Sequence, residues 1–427
     1  MITDAAQGLL PLSTRSEVGT SIELFTGGGG LALAMHNAGF RHLLAVEMDK
    51  RACQTLLKNR ADPYDPNAAG PVSVESRWPL IEGDIHKVRD FEQFEHQVDV
   101  VAGGVPCQPW SLGGAHKGYD DPRNLWPELF RVIRETKPRA VIAENVKGLL
   151  RPSFKPYYDY ILNELRAPFE ERDEEGQDWR EHNQRLIDAL DRDEVDPKKR
   201  YDVKYMLVNA ADYGVPQIRW RVFVVAFRRD LGLQDWEFPK PTHSEAALLR
   251  AQADGSYWNE HKVPKRYRYT PEVSFDDDGD GTLRWRTLRD ALRGNPEDKE
   301  PDLREPEIEK IDDADAKILH HYGWPGARQY PGHTPNKLDR PAKTVKAGVH
   351  GVPGGESVLE RQDRSIRYMT VREVSRVMTF PDNWQLIGPR GEQMRQLGNA
   401  VPVKLAEVIA RSVADALGSD GPSRKGS

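Results

Sequence analysis

Residues 21–38 constrain the fold most. An apolar run at 21–25 leads through Thr26 into four consecutive glycines, Gly27 to Gly30, and then into a stretch at 31–38 with helical apolar periodicity. A short apolar run of this length fits a buried strand, and glycines let the chain turn tightly from it into a helix. The alternation continues. Further strands are expected at 43–46, 98–102, 140–143, 205–209 and 222–226, and helices at about 51–59 and at 125–136. Strands alternating with helices give a doubly wound, mostly parallel sheet, an α/β fold.

A chain of 427 residues suggests two domains, or one large domain with an insertion. Its two cysteines, Cys53 and Cys107, supply no disulfide framework and fit a reducing compartment. No basic segment followed by an apolar core opens the chain, and no apolar run reaches membrane-spanning length. A soluble, cytoplasmic protein is therefore expected. The net charge of -6 argues against a uniformly basic nucleic-acid binder but leaves a locally basic cleft open.

The charge-dense stretch 167–200 interrupts the alternation and predicts a solvated helical insertion without chemistry. From about 236 to 364, prolines, glycines and aromatics replace regular periodicity, as in a smaller inserted domain. The expected division is a catalytic domain at 20–238 completed by 393–417, an inserted domain at 239–392, and a disordered Gly/Ser/Pro-rich tail at 418–427.

Two places carry chemistry. In the glycine turn, Gly27, Gly29 and Ala32 satisfy a dinucleotide fingerprint, and Glu47 lies where a carboxylate can hold ribose hydroxyls. By spacing alone this fits a nicotinamide-dependent oxidoreductase as well as other nucleotide-like cofactors. A P-loop is disfavoured, since no Lys-Ser or Lys-Thr follows the glycines. Cys107, in Val105-Pro106-Cys107-Gln108-Pro109-Trp110-Ser111, follows an apolar strand, where a loop in an open α/β sheet faces the ligand crevice. A buried cysteine is the alternative there. Taken singly, Glu144 could satisfy a turn, Asp84 could start a helix, and Arg219 and Arg221 could line an exposed strand face. Cys53 reads as core.

Together, Phe25-Thr26-Gly27-Gly28-Gly29-Gly30, Glu47, Asp84 in Glu82-Gly83-Asp84-Ile85, Pro106-Cys107-Gln108, Glu144-Asn145-Val146, Gln217-Ile218-Arg219-Trp220-Arg221 and Gly398-Asn399-Ala400-Val401 occur in one order. In that order, over about 20–415, the chain strongly resembles the cytosine-5 DNA methyltransferase family. It departs at Val105, where the family often has proline, and at Trp110, where it has phenylalanine.

The resemblance implies a Rossmann-like, S-adenosylmethionine-dependent methyltransferase sheet with an inserted target-recognition domain at 239–392. It implies that Phe25, Gly27, Gly29, Leu31, Glu47, Met48, Asp84, Ile85, Leu125, Asn399 and Val401 bind the cofactor, Glu47 through the ribose and Asp84 through the adenine amino group. Cys107 is implied as nucleophile, Glu144 as the carboxyl at ring nitrogen 3, and Arg219 and Arg221 as cations near the base oxygen. Arg367, Glu373 and Arg376 resemble the block that organises the recognition domain. The expected partner is double-stranded DNA, with the target base flipped out and the glycine-rich loop 103–124 closing over it. A cognate restriction endonuclease would be a genetic partner, the protein would act as a monomer on the nucleoid, and RNA is the alternative substrate. No metal is needed. Asp276-Asp277-Asp278-Gly279-Asp280-Gly281 looks like the start of a calcium loop but meets Thr287 at the final glutamate position. Basic-aromatic clusters at 262–269 and 284–286 could track phosphates or face solvent.

Overall fold

The computed structural model describes residues 16–89, 91–106, 124–172, 178–192, 196–272, 281–294, 301–306, 318–329, 332–347 and 357–419. Its centre is a sheet of eight strands: β1 (Gly19–Leu24), β2 (Phe40–Glu47), β3 (Ala61–Pro63), β4 (Trp78–Glu82), β5 (Val100–Gly104), β6 (Ala140–Val146), β7 (Tyr201–Asn209) and β8 (Trp220–Arg228). Their order is β3-β4-β2-β1-β5-β6-β8-β7. Every pairing is parallel except those of β8, which runs antiparallel to both neighbours. The six expected strands are all present with displaced ends. The edge strands β3 and β4 escaped notice because each is short and contains a proline, which leaves no clear alternation.

The helices are α1 (Gly30–Ala38), α2 (Lys50–Asn59), α3 (Trp126–Thr136), α4 (Lys155–Arg166), α5 (Trp179–Leu190), α6 (Glu245–Ala253), α7 (Ser256–Glu260), α8 (Leu288–Arg293), α9 (Val371–Val377), α10 (Arg390–Asn399) and α11 (Val403–Ser419). One sheet face packs against α1, α2 and α11, and the other against α3, α4 and α5. Because both faces are covered, β1 is buried along its whole length. Among the described residues, no helix is long and apolar enough to cross a membrane.

Helix α5 lies in the charge-dense stretch, with Asp178 capping its first turn. It is not wholly solvated: His182, Leu186 and Ala189 are buried. In the region 239–392, α6, α7 and Trp285 build a small apolar cluster together with Ala211, whereas Val371, Val374, Val377, Phe380 and Trp384 join the cluster of α1 and α11. A capping box closes α9, where Glu373 accepts from the Thr370 N–H and binds Arg367 through both oxygens at 2.7 Å. Arg376 reaches the carbonyls of Ala291 and Pro301, tying α9 to α8.

Candidate active site

Strand order reverses between β1 and β5, and ligands of open α/β sheets bind at the carboxyl edge of such a switch point. The described site residues gather along that edge. Phe25 follows β1, Glu47 ends β2, Asp84 follows β4, Gly104 ends β5 and Glu144 lies near the end of β6. Antiparallel β8 begins at the same edge, which brings Arg221 opposite Val146.

Phe25 leaves β1 in the left-handed region at φ 55°, a strained conformation of about 1–3 kcal/mol for a non-glycine residue. Gly27 and Gly29 continue the turn at φ 56° and 96°. Buried Glu47 braces it, accepting the Gly27 N–H at 2.6 Å and the Asp49 N–H at 2.7 Å. Burial pushes the Glu47 carboxyl above the usual range, against these backbone hydrogen bonds. Asp84 caps the short turn Ile85–Lys87, so the helix-start reading is met; Ile85 is buried beneath it. His86 joins this turn to α3 through Glu128 at 3.0 Å, and Leu125, also buried, caps α3. Met48 exposes 65% of its surface and Asn399 is exposed at the end of α10.

Packing demands two of the glycines. A Cβ on Gly29 would meet the Trp384 ring at 2.7 Å, and one on Gly30 the Val401 carbonyl at 2.3 Å. Trp384 also donates its indole N–H to the Gly28 carbonyl. Trp384 thus shapes the back of the turn, with Leu31 buried behind it; nothing in Pro381-Asp382-Asn383-Trp384 marked this role in the sequence.

At the β5–β6 pair, Glu144 sits across the ladder from Gly104, whose added Cβ would lie 3.4 Å from Glu144 Oε2. Glu144 is 7% exposed and binds Arg221 Nε at 2.7 Å. Burial raises its pKa, and the charges of Arg221 and then Arg219 only partly oppose this. Arg219 is fully buried and its terminal nitrogens donate to the carbonyls of Val345, Gly398 and Ala400 at 2.6–3.0 Å. It therefore fastens the strand to segment 345–347 and to the α10–α11 joint. Gln217 assists, accepting the Val345 N–H at 3.0 Å. Asn145 donates to the Val105 carbonyl at 3.1 Å and so anchors the chain that leaves β5. Cys107 lies outside the described residues, as do most of loop 103–124 and residues 276–280. Cys53 is core: fully buried, with its thiol pushed up to about 12 by burial first and by neighbouring Glu47.

The sequence pattern of the C-5 cytosine-specific DNA methylase family matches residues 19–167 and 193–415. The chain belongs to that family. It is a DNA cytosine-5 methyltransferase. The type II methyltransferase M.NgoMIV of Neisseria gonorrhoeae is 28% identical over 404 residues, 93% of this chain and 98% of that protein. M.Eco47II of Escherichia coli is 29% identical over 412 residues, 93% of this chain and 79% of that protein. Among solved structures, an E. coli prophage protein described as a DNA modification methyltransferase superposes with a TM-score of 0.56 at 20% identity, covering 93% of this chain and 99% of that one. The methyltransferase EhMeth of Entamoeba histolytica gives 0.52 at 13% identity, covering 94% and 99%. These superpositions support the sheet architecture of the family.

The basic-aromatic cluster 284–286 is largely turned inward in this methyltransferase. Arg284 donates to both Asp290 oxygens at 2.8 and 2.9 Å and to Glu260 at 2.7 Å, while Trp285 donates to Asp212. Glu260, His261 and Asp290 come close enough together to resemble a metal ligand set, but the Arg284 guanidinium supplies the positive charge between two of them.

Proposed function

We propose that the enzyme transfers the methyl group of S-adenosylmethionine to carbon 5 of a cytosine flipped out of duplex DNA, with Cys107 as nucleophile and Glu144 as the carboxyl at ring nitrogen 3. One observation carries this reading: the buried Glu144–Arg221 pair stands beside Gly104, three residues before Cys107. Three residues span at most about 10 Å, which keeps the thiol within reach of the carboxyl and supports a shared pocket.

Carbon 5 of cytosine is a weak nucleophile. Addition of the Cys107 thiolate at carbon 6 turns it into an enamine-like carbon. Glu144, held in a dry site that favours its protonated form, hydrogen-bonds nitrogen 3 and offsets the charge that thiolate attack places on the ring. Arg221 orients the carboxyl, and Arg219 adds positive field from behind while holding the pocket walls together. After carbon 5 gains its methyl group, a base takes the carbon 5 proton, the C–H electron pair re-forms the 5,6 double bond, and the Cys107 thiolate leaves carbon 6.

The glycine turn fits the cofactor. Each Glu47 oxygen accepts one backbone N–H, which leaves each with acceptor capacity for the ribose hydroxyls. Asp84 and Ile85 are assigned to the adenine, and Phe25, Gly27, Gly29, Leu31, Met48, Leu125, Asn399 and Val401 to the remainder. When bound, S-adenosylmethionine supplies an electrophilic methyl group. Target choice is assigned to the 239–392 region, chiefly 239–366. Kinship with type II methyltransferases favours a monomer working in the cytoplasm beside a separately encoded restriction endonuclease.

A duplex with 5-fluorocytosine at the target tests the mechanism, because fluorine cannot leave as a proton does. With S-adenosylmethionine present, the wild type is expected to give a denaturant-resistant DNA adduct mapping to the peptide that contains residue 107. Cys107→Ser is expected to give none, since a hydroxyl is far less ionised than a thiol, and Cys53→Ser is expected to retain the adduct. An adduct formed by Cys107→Ser rejects the assignment.

A further inference from the structure

Trp220 separates the two arginines at the start of β8 and points to the opposite side of the sheet from Arg221, since strand side chains alternate. It is 40% exposed. The Lys147 ammonium lies 5.2 Å from the centre of the Trp220 ring. Arg151, exposed at the end of the short turn Lys147–Leu150, carries its guanidinium back along that turn, with Nε about 4 Å from the Cβ position of Gly148.

Neither Lys147 nor Arg151 forms an ion pair among the described residues. Of the carboxylates close to them in the chain, Glu144 is paired with Arg221 and Asp159 with Lys155. The patch therefore pairs an exposed indole with two uncommitted cations. An apolar protein interface would bury more hydrocarbon and fewer bare charges, whereas base or sugar stacking combined with phosphate contacts uses this composition. In a chain of net charge -6, attraction for phosphate must come from such local clusters. Lys147 is three residues beyond Glu144, about 10 Å along extended chain.

We propose that Trp220, Lys147 and Arg151 hold the DNA strand next to the flipped cytosine, the two cations on backbone phosphates and the indole against a neighbouring sugar or unstacked base. This rests on the assignment of the Glu144 pocket to the target base.

The test measures the salt dependence of duplex binding, using a duplex that contains the methylated sequence. Melting temperature and S-adenosylmethionine binding serve as controls for folding. The double variant Lys147→Ala/Arg151→Ala is expected to lower the slope of log K against log[salt] by about 1.8, at about 0.9 per lost phosphate contact. Trp220→Ala is expected to weaken binding several-fold with an unchanged slope, and Trp220→Phe to recover most of the loss. A double variant that binds with the wild-type slope overturns the proposal, as does wild-type affinity in Trp220→Ala. Glu144→Gln is measured alongside. If it methylates normally, the pocket assignment fails; if it is inactive while the patch variants bind as the wild type does, only the patch fails.

Discussion

Glu23 on β1 is buried against the sheet face that carries α1, with Oε1 lacking a hydrogen-bond partner and 3.5 Å from His42 Nε2. His42 stacks on Trp78 at 4.4 Å, and His36 stands nearby. Burial pushes the Glu23 carboxyl up to about 8 and holds the imidazoles of His36 and His42 down to about 4 and about 3. The two effects act in opposite directions. Between pH 4.5 and about 8 the folded chain keeps a Glu23 proton that the unfolded chain has released, so this group lowers stability as pH rises through that window. Below pH 6.5 the unfolded histidines take up protons that the buried rings refuse, so they lower stability as pH falls. Glu23→Gln should flatten the alkaline limb, whose slope is at most about 1.4 kcal/mol per pH unit, and gain stability over the wild type at pH 8. Urea denaturation across pH will show this. Parallel profiles for the two proteins would mean that Glu23 ionises freely.

At the scale of elements, α5 shows where charge patterning misleads. Stretch 167–200 reads as solvated because its charges outnumber its apolar residues, yet Leu186 is fully buried and Trp179 packs edge-on against Tyr157 of α4 at 5.3 Å. The family pattern also skips 168–192, so α5 is an addition to the shared sheet. It reaches toward the site indirectly, because Tyr157 accepts a 2.6 Å hydrogen bond from Asn124, where the described chain resumes before α3. Leu186→Ala should therefore cost about 2–5 kcal/mol, as for other buried leucines, when measured by urea denaturation. A loss under about 0.5 kcal/mol, typical of surface positions, would return α5 to the solvated class.

Across the whole molecule, the proposed function puts recognition and chemistry in different parts of the chain. Phosphate contacts position a protein on DNA while base-edge contacts specify sequence. Segment 239–366 meets the catalytic part through particular joints, among them Arg219 to the Val345 carbonyl and Gln217 to the Val345 N–H. Replacing 239–366 with the corresponding segment of a relative of different target should move methylation to the donor's sequence, read by bisulfite sequencing. A folded, active chimera that keeps its original target would place recognition elsewhere.

The alternation of apolar runs and glycine turns was sufficient to read a parallel-rich sheet, because strand and helix periodicities are local properties of the chain. The ordered motifs were sufficient to read the family. Glu47 was legible as the end of a strand visible in the sequence, whereas β4, the strand before Asp84, was not, and Asp84 was read only from the motif Glu82-Gly83-Asp84-Ile85. Tertiary structure alone decided what depends on distant partners. It showed that Arg219 spends its hydrogen bonds on three backbone carbonyls, that Gly29 and Gly30 are small because Trp384 and Val401 press on them, and that Glu144 is both paired and dry. Burial and long-range pairing arise only when segments far apart in sequence meet, and they determine which charges remain available for chemistry.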